Sequence, residues 1–162
     1  MKKLILMRHA KSDWNHANLS DHQRPLNPRG KKDALRMGAL LQAEGIEIDA
    51  IFCSTAQRTR ETLALLLEEY TFEGEAQFLR KLYEADLHTY LDVLAALPAN
   101  VETAMLLGHN PTMSAALEFF TDSFEPFKTA DIATIEFDVD DWNTLIEKPE
   151  GKLVGYWTPK EI

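Results

Sequence analysis

Cysteine is almost missing from this sequence, since Cys53 is the only one among 162 residues. A single thiol excludes an intramolecular disulfide and any metal site built from several cysteines, and this usage is typical of a reducing compartment. Long apolar runs are missing too: the N-terminal run stops at Arg8, which makes it too short for a signal peptide or a membrane span. We therefore expect a soluble, cytoplasmic protein with no membrane partner.

Positive charge is also scarce. The chain has 17 Lys and Arg residues against 26 Asp and Glu residues, and its formal net charge of -9 argues against nonspecific binding to nucleic acid. An anionic ligand would therefore need a local basic pocket. The sequence has no linker, repeat or low-complexity stretch, and its length suits one domain spanning residues 1–162.

Short apolar runs alternate along the chain with stretches of helical periodicity, and the runs predict buried strands. They cover residues 4–7, 48–53, 76–79, 103–107, 132–137 and 153–157. The alternation predicts an α/β fold, a three-layer sandwich with a mostly parallel central sheet, helices on both faces and a late antiparallel strand. The last two strands are expected to be neighbours, connected by a turn around Pro149 and Gly151.

Capping residues mark the starts of several helices. Asn27 followed by Pro28 predicts an N-cap and a proline at the first helical position, and Asn110 followed by Pro111 repeats this pattern. Another helix is expected to open at residues 54–55, directly after the second strand.

Polar residues cluster where three of the predicted strands end. The clusters are Arg8 with His9, Ser54 with Arg58, and Gly108 with His109 and Asn110. Ligands of open α/β sheets bind beyond the carboxyl ends of strands, where the strand order reverses. Arginine matches phosphate oxygens with a planar fork of donors, and helix N-termini favour anions. The clusters therefore predict a cationic pocket for a phosphoryl group.

A histidine in such a pocket can attack phosphorus as a neutral imidazole, and water then hydrolyses the phosphohistidine that forms. A second, protonated histidine would stabilise the phosphoryl oxygens. A nearby carboxylic acid could protonate the leaving group and later activate water. Glu84, just before the third helix, is the best placed candidate for that acid.

Four segments resemble the histidine phosphatase superfamily, which is phosphoglycerate mutase-like, and within it the SixA-type phosphohistidine phosphatase branch. They read MRHAKSDW, CSTAQRTRET, LYEA and LLGHNPTM, and the resemblance extends over essentially the whole chain. It implies that His9 is the nucleophile and that Arg8, Arg58 and His109 form the rest of the phosphate pocket. Lys11, Ser12, Arg24 and Asn110 are candidates for the rim of that pocket.

Some positions depart from the family pattern. Ala10 stands where much of the superfamily has glycine, and Thr112 stands where glycine often follows the Gly-His-Asn-Pro motif. The SixA branch does not uniformly keep the acid at Glu84, and the labile P–N bond offers a chemical reason, because a leaving imidazole needs less help than an alkoxide. Asn15 lies at the offset where the mutases keep an asparagine, and its role stays open.

The resemblance implies a metal-independent phosphatase without a cofactor, acting on phosphohistidine in a protein. Between Glu84 and His109 the chain is too short for the large cap of other family members, so another protein could reach the pocket. The alternatives are a phosphatase acting on small phosphate esters and a phosphate-binding module without turnover. A mutase ranks third, because an uncapped pocket would not retain the leaving product. The oligomeric state stays open, and a monomer is compatible with the sequence.

Overall fold

The computed structural model describes residues 1–162 and contains one six-stranded sheet. The strands are β1 (Lys2–Arg8), β2 (Ala50–Ser54), β3 (Gln77–Leu79), β4 (Thr103–Gly108), β5 (Ile132–Phe137) and β6 (Lys152–Trp157). Their order is β3-β2-β4-β1-β5-β6. Only β5 runs against the other five, since it pairs antiparallel with both β1 and β6. The expected α/β fold with one late antiparallel strand is confirmed.

Helices cover both faces of the sheet. They are α1 (Pro28–Ala43), α2 (Gln57–Glu69), α3 (Leu87–Ala95), α4 (Thr112–Thr121) and α5 (Trp142–Glu147). On β1, Ile5 and Met7 pack into the core beneath α1 and α2, whereas Leu4 and Leu6 pack into the core beneath α3, α4 and α5. Successive side chains of a strand point to opposite faces, so burial on both sides explains why this strand reads as an unbroken apolar run.

The strand order reverses between β1 and β4. From β1 the chain moves outward to β2 and β3, and it then returns to place β4 between β2 and β1. The two neighbouring strands end in register, because Arg8 at the end of β1 pairs with Gly108 at the end of β4. His9 and His109 therefore leave the sheet side by side, at the kind of position where open α/β sheets bind ligands.

The helix starts agree only partly with the expected caps. Helix α1 begins at Pro28, and the Asn27 side chain accepts a hydrogen bond from the Gly30 amide at 2.8 Å, as expected. In α4, however, Pro111 occupies the N-cap and not the first helical position. Asn110 still accepts a hydrogen bond from the helix, from the amide of Ser114 at 3.0 Å.

Two further expectations about local structure were wrong. Helix α2 begins at Gln57 and not at residues 54–55, because Ser54 is the last residue of β2. The connection between β5 and β6 is more than a turn, since it contains the short helix α5. Trp142 of α5 is fully buried and its indole N–H donates to the Val101 carbonyl at 2.8 Å, so tertiary packing holds this helix in place. No helix of the structure has both the length and the apolar surface needed to cross a membrane.

Candidate active site

His9 directly follows β1 and is held from two sides. Its backbone N–H donates to the Gly108 carbonyl on β4 at 3.0 Å, and its ring Nδ1 lies 2.7 Å from the Ala10 carbonyl oxygen. A carbonyl oxygen can only accept a hydrogen bond, so Nδ1 carries the ring proton of the neutral imidazole. The other ring nitrogen, Nε2, therefore keeps its lone pair.

The surroundings of His9 favour this neutral form. Burial is the largest of the effects that lower the pKa of His9 to about 3; the hydrogen bond to Ala10 opposes it, and the nearby His109, Arg58 and Arg8 side chains act with it. The side chain is therefore uncharged at neutral pH, with a lone pair available on Nε2. A buried neutral imidazole among cationic groups can act as a nucleophile.

His109 follows β4, and its ring centroid lies 5.3 Å from that of His9. Its Nε2 lies 2.8 Å from the Ser54 hydroxyl, and its backbone N–H donates to the Tyr90 hydroxyl at 3.1 Å. Burial, followed by the charge of Arg58, lowers the pKa of His109 to about 4. In the free protein His109 is therefore neutral, because burial and the charges of Arg58 and Arg8 disfavour another positive charge. The expected protonated form would require a bound anion.

Arg58, in the first turn of α2, is buried and bound to Asp21. Its Nη1 donates to the Asp21 backbone oxygen at 2.8 Å and its Nη2 to the carboxylate Oδ2 at 3.1 Å. The same carboxylate accepts a hydrogen bond from Arg24 Nη2 at 3.1 Å and one from the Tyr83 hydroxyl at 2.5 Å. Asp21 thus connects two arginines and a tyrosine whose ring centroid lies 5.6 Å from that of His109.

The charge on Asp21 is strongly favoured in this arrangement. Burial alone would raise the pKa of Asp21, but the hydrogen bonds from Tyr83 and Arg24 and the charge of Arg58 lower it to about 2. Neither Asp21 nor Tyr83 was predicted from the sequence. Asp21 lies in the polar loop between β1 and α1, and the sequence of that loop does not indicate which distant residues Asp21 contacts.

Thr62 on α2 connects the His9 loop to Arg58. Its hydroxyl accepts a hydrogen bond from the Ala10 amide at 3.0 Å and donates one to the Arg58 carbonyl at 2.7 Å. On the other side of His9, Arg8 Nη1 donates to the Phe127 carbonyl at 3.1 Å. The four predicted residues Arg8, His9, Arg58 and His109 are therefore brought together at one end of the sheet.

Several nitrogens of this cluster are buried without a hydrogen-bond partner. They are Arg8 Nε, Arg24 Nε, Arg58 Nε and His109 Nδ1, which make up four of the six such side-chain atoms in the protein. A buried polar group without a partner costs roughly 1–3 kcal/mol, so its occurrence needs a reason. Three arginines with unpaired N–H groups lie in this cluster with one carboxylate, that of Asp21, which is bound to two of them, and such an excess of donors favours an anionic ligand.

Two of the expected rim residues lie inside the protein. Ser12 and Arg24 are both buried, and Arg24 donates a hydrogen bond to the Ser12 hydroxyl. The guanidinium carbon of Arg24 also lies 3.6 Å from the centroid of the Trp14 ring. Arg24 is therefore fixed within the cluster by stacking and by its contact with Asp21.

The other two rim residues differ from each other. Lys11 is exposed and lines a groove that also contains Arg8 and is separate from the one that contains His109. Asn110 has a structural contact at each end of its side-chain amide: its oxygen caps α4, and its nitrogen donates to the carbonyl of Phe127 at 3.0 Å. The same Phe127 carbonyl accepts from Arg8, so Asn110 supports the loop that holds this arginine.

Glu84 is exposed and forms no hydrogen bond or ion pair, but it lines the same groove of about 530 Å³ as His109. Its backbone has a φ of 54°, in the left-handed region. The neighbouring Ala85 carbonyl accepts a hydrogen bond from the Thr112 hydroxyl at 2.6 Å. Asn15 is exposed on the loop after β1, and its side chain forms no hydrogen bond.

No group of three or more His, Cys, Asp and Glu side chains in the structure is placed to hold a metal ion. The polar groups that meet at the ends of β1 and β4 are mainly arginine and histidine nitrogens, which bind anions. This arrangement can hold a phosphoryl group next to the lone pair of His9.

Comparisons with known proteins agree with this geometry. The family model described as histidine phosphatase superfamily (branch 1) matches residues 4–96. An uncharacterized protein of Mycobacterium tuberculosis is 39% identical over 109 residues, which make up 67% of this chain and 66% of that protein.

Two solved structures are similar over almost the whole chain. The structure provisionally named phosphohistidine phosphatase SixA from Nakamurella multipartitia has a TM-score of 0.86 at 27% identity, and the match covers 98% of this chain and 96% of that one. A second structure, provisionally named SixA from Agrobacterium tumefaciens, has a TM-score of 0.85 at 28% identity and covers 98% of both chains. With the family model matching more than half of its residues, this chain belongs to the histidine phosphatase superfamily.

Proposed function

We propose that this protein is a phosphatase that hydrolyses phosphohistidine on another protein through a phosphohistidine intermediate on its own His9. The observation that carries the proposal is the contact of His9 Nδ1 with the Ala10 carbonyl oxygen at 2.7 Å. It leaves Nε2 as the nitrogen with a free lone pair, in a buried cluster of cationic side chains.

In the first step, Nε2 of His9 attacks the phosphorus atom of the substrate while the bond from phosphorus to the substrate nitrogen breaks. The leaving imidazole takes up a proton, and the phosphoryl group stays on His9. In the second step a water molecule attacks the phosphorus, the P–N bond to His9 breaks, and the water gives up a proton as inorganic phosphate forms. His9 returns to its neutral form.

Arg8, Arg58 and His109 would bind the phosphoryl oxygens in both steps, and Arg24 joins them in this proposal because it shares Asp21 with Arg58. The developing charge on these oxygens is stabilised by donors that are already in place. A dianion in the cluster would also raise the pKa of His109, because it offsets the positive charges that now lower it. His109 could then bind the phosphoryl group as a cation.

Glu84 is proposed as the acid that protonates an oxygen leaving group, since it lines the groove that also contains His109. Lys11 is proposed to bind substrate at the rim. Ser12 and Asn110 are proposed to act indirectly, because Ser12 contacts Arg24 and Asn110 holds the Phe127 carbonyl to which Arg8 donates. No metal ion or cofactor takes part in this scheme, because arginine and histidine supply the charge stabilisation.

The choice of a protein substrate rests on access to the site. Between Glu84 and His109 the chain contains only α3 and β4, so we propose a single domain without a large cap insertion. The names of the two SixA structures support the same branch of the superfamily. A cytoplasmic location belongs to the proposal as well, supported by the single cysteine of the chain. Small phosphate esters are the second candidate substrate, since the same open groove would admit them.

The test compares three substrates at equal concentration: a phosphohistidine-bearing protein, phosphoramidate and an aryl phosphate. Wild type is compared with His9→Ala, with His88→Ala at an exposed histidine as the matched control, and each assay is repeated with a chelator. We expect His9→Ala to lose at least about 10³-fold in kcat/KM and the control to lose nothing. Acid-labile, alkali-stable phosphate should be trapped on His9 of the wild type.

Each alternative has its own outcome in this test. Binding of phosphate compounds without turnover by the wild type would indicate a phosphate-binding module. An ester preferred by orders of magnitude would refute the protein substrate, and loss of activity with the chelator would refute the metal-independent mechanism. Return of the phosphoryl group to the molecule that supplied it would indicate a mutase.

A further inference from the structure

A second groove is lined by Arg8 and shares no residue with the groove that contains Glu84. It has a volume of about 370 Å³ and no hydrophobic residue in its lining. Its five cationic residues are Arg8, Lys11, Arg29, Lys128 and Lys160. We call this surface the basic groove. It stands out in a protein whose formal net charge is -9.

Three of these cations are free of ion pairs. Lys11, Lys128 and Lys160 are exposed, and none of them lies within ion-pair distance of a carboxylate. They come from three separate segments: the loop after β1, the loop before β5 and the short turn after β6. The fold therefore collects unpaired lysines from distant parts of the chain along one groove.

The acidic residues of the groove do little to neutralise these lysines. Asp33 is buried and pairs with Arg29, with 3.7 Å between its Oδ2 and the Arg29 Nε. Asp131 is also buried, and its Oδ2 accepts hydrogen bonds from the Tyr156 hydroxyl at 2.6 Å and the Lys128 amide at 2.8 Å. Only Glu161 is an exposed acid in this lining. The accessible part of the groove therefore has an excess of positive charge.

We propose that the basic groove binds an acidic segment of the phosphorylated protein while its phosphohistidine reaches His9, an inference that rests on the proposed function. Arg8 lies beside His9 and also lines the basic groove. The segment of the substrate that flanks the phosphohistidine can therefore extend from His9 into this groove. An acidic partner would be repelled by the net charge of the molecule, and a local basic surface overcomes this repulsion and orients the encounter. Nucleic acid is disfavoured as the ligand, because the net negative charge of the protein repels a polyanion and three unpaired lysines are too few to offset this repulsion.

The test uses two synthetic phosphohistidine peptides that differ only in flanking residues, four glutamates in one and four glutamines in the other. Wild type is compared with the double variant Lys128→Glu/Lys160→Glu. The matched control is Lys148→Glu/Lys152→Glu, which makes the same change in net charge at exposed lysines outside the groove. Phosphoramidate serves as a substrate that is too small to reach the groove.

We expect wild type to prefer the glutamate peptide by about five- to tenfold in kcat/KM, mostly through KM, because two exposed ion pairs contribute roughly 1 kcal/mol in total or slightly more. The groove variant should lose this preference, and the control should keep it. High salt should abolish it in the wild type as well. Equal rates of the wild type on both peptides, or equal losses in the two double variants, would overturn the proposal.

Two further measurements distinguish failure of the proposed phosphatase function from failure of the proposed docking at the basic groove. Turnover of phosphoramidate tests the phosphatase alone and should be the same in wild type and in both double variants. Binding of the unphosphorylated glutamate peptide, measured by fluorescence anisotropy, tests the basic groove without any turnover. Tighter binding to wild type than to the groove variant supports docking, and identical binding to the two overturns it.

Discussion

Asp21 contacts Arg58 through both its backbone and its side chain: Arg58 Nη1 lies 2.8 Å from the Asp21 carbonyl oxygen, and Nη2 lies 3.1 Å from Oδ2. This contact engages the terminal edge of the guanidinium group and fixes its orientation. Arg24 and Tyr83 bind the same carboxylate. A single loop residue thus sets the relative positions of two arginines in the candidate phosphate pocket.

Replacement of Asp21 by Asn should lower kcat/KM on an aryl phosphate by about tenfold. The amide puts a donor group where a carboxylate oxygen now accepts from Arg24, Arg58 or Tyr83. A hydrogen bond to a charged group contributes roughly 1.5–3 kcal/mol, and we use the lower end because the Asp21 carboxylate is half-exposed. Steady-state kinetics would measure the effect, with Asp13→Asn on the same loop as the control. A higher kcat/KM in Asp21→Asn would show instead that Asp21 competes with the substrate for the arginines.

Acidification should destabilise the protein through His9 and His109. The pKa of His9 is lowered by burial to about 3 and that of His109 to about 4, so between these values and the ordinary histidine pKa of 6.5 only the unfolded chain is protonated. Stability rises with pH wherever the unfolded state binds more protons, so it falls below pH 6.5, down to about pH 4 for the part due to His109 and to about pH 3 for the part due to His9.

Each of these two histidines would contribute on the order of 1–2 kcal/mol to the loss of stability between pH 7 and pH 5. Urea unfolding at the two pH values would measure this loss. His9→Gln should reduce it by that amount, whereas His88→Gln, at an exposed position on α3, serves as the control. An unchanged pH dependence in His9→Gln would contradict the lowered pKa of His9.

The positions of His9 and His109 could be predicted because they follow from local patterns. Each histidine comes directly after a short apolar run, and such runs form buried parallel strands whose carboxyl ends meet at one edge. The N-cap at Asn27 was predictable for a similar reason, since the cap and its partner Gly30 are three residues apart. These features depend on neighbours in the sequence.

The contacts of Asp21 could not be predicted, because two of its three partners come from distant segments of the chain. Arg58 lies 37 residues further along the chain and Tyr83 lies 62 residues away. The loop that contains Asp21 has no apolar periodicity, so no local pattern in the sequence indicates which part of the fold the loop packs against. The neutral state of His109 was missed for the same reason, since its burial is set by the packing of distant elements.

Replacement of Glu84 by Gln tests whether this residue protonates a leaving group. An alkoxide leaving group needs a proton more than an imidazole does, so we expect kcat on an alkyl phosphate to fall by about 10²-fold, with little change on phosphoramidate. Glu75→Gln, at an exposed glutamate outside the groove, is the control. Equal losses on the two substrates would indicate that Glu84 only shapes the groove.

Gly108 and Tyr90 should show a strong energetic coupling. A Cβ atom on Gly108 would lie 2.1 Å from the Tyr90 hydroxyl oxygen, the same atom that accepts the His109 backbone N–H at 3.1 Å. We expect Gly108→Ala to destabilise the fold by about 1–3 kcal/mol through overpacking and to lower activity by displacing His109. Tyr90→Phe alone should cost roughly 1–3 kcal/mol, because the His109 N–H loses its acceptor.

The double variant Gly108→Ala/Tyr90→Phe should be less destabilised than the sum of the two single changes. Removal of the hydroxyl takes away the atom nearest to the new methyl group, and the next one, Tyr90 Cζ, lies 3.0 Å from the Cβ position. The rescue is therefore partial, on the order of 1 kcal/mol. Urea unfolding of the four proteins would measure it in a double-mutant cycle. Strictly additive losses would mean that the cost of Gly108→Ala comes from the backbone conformation at Gly108 and not from the contact with the Tyr90 hydroxyl.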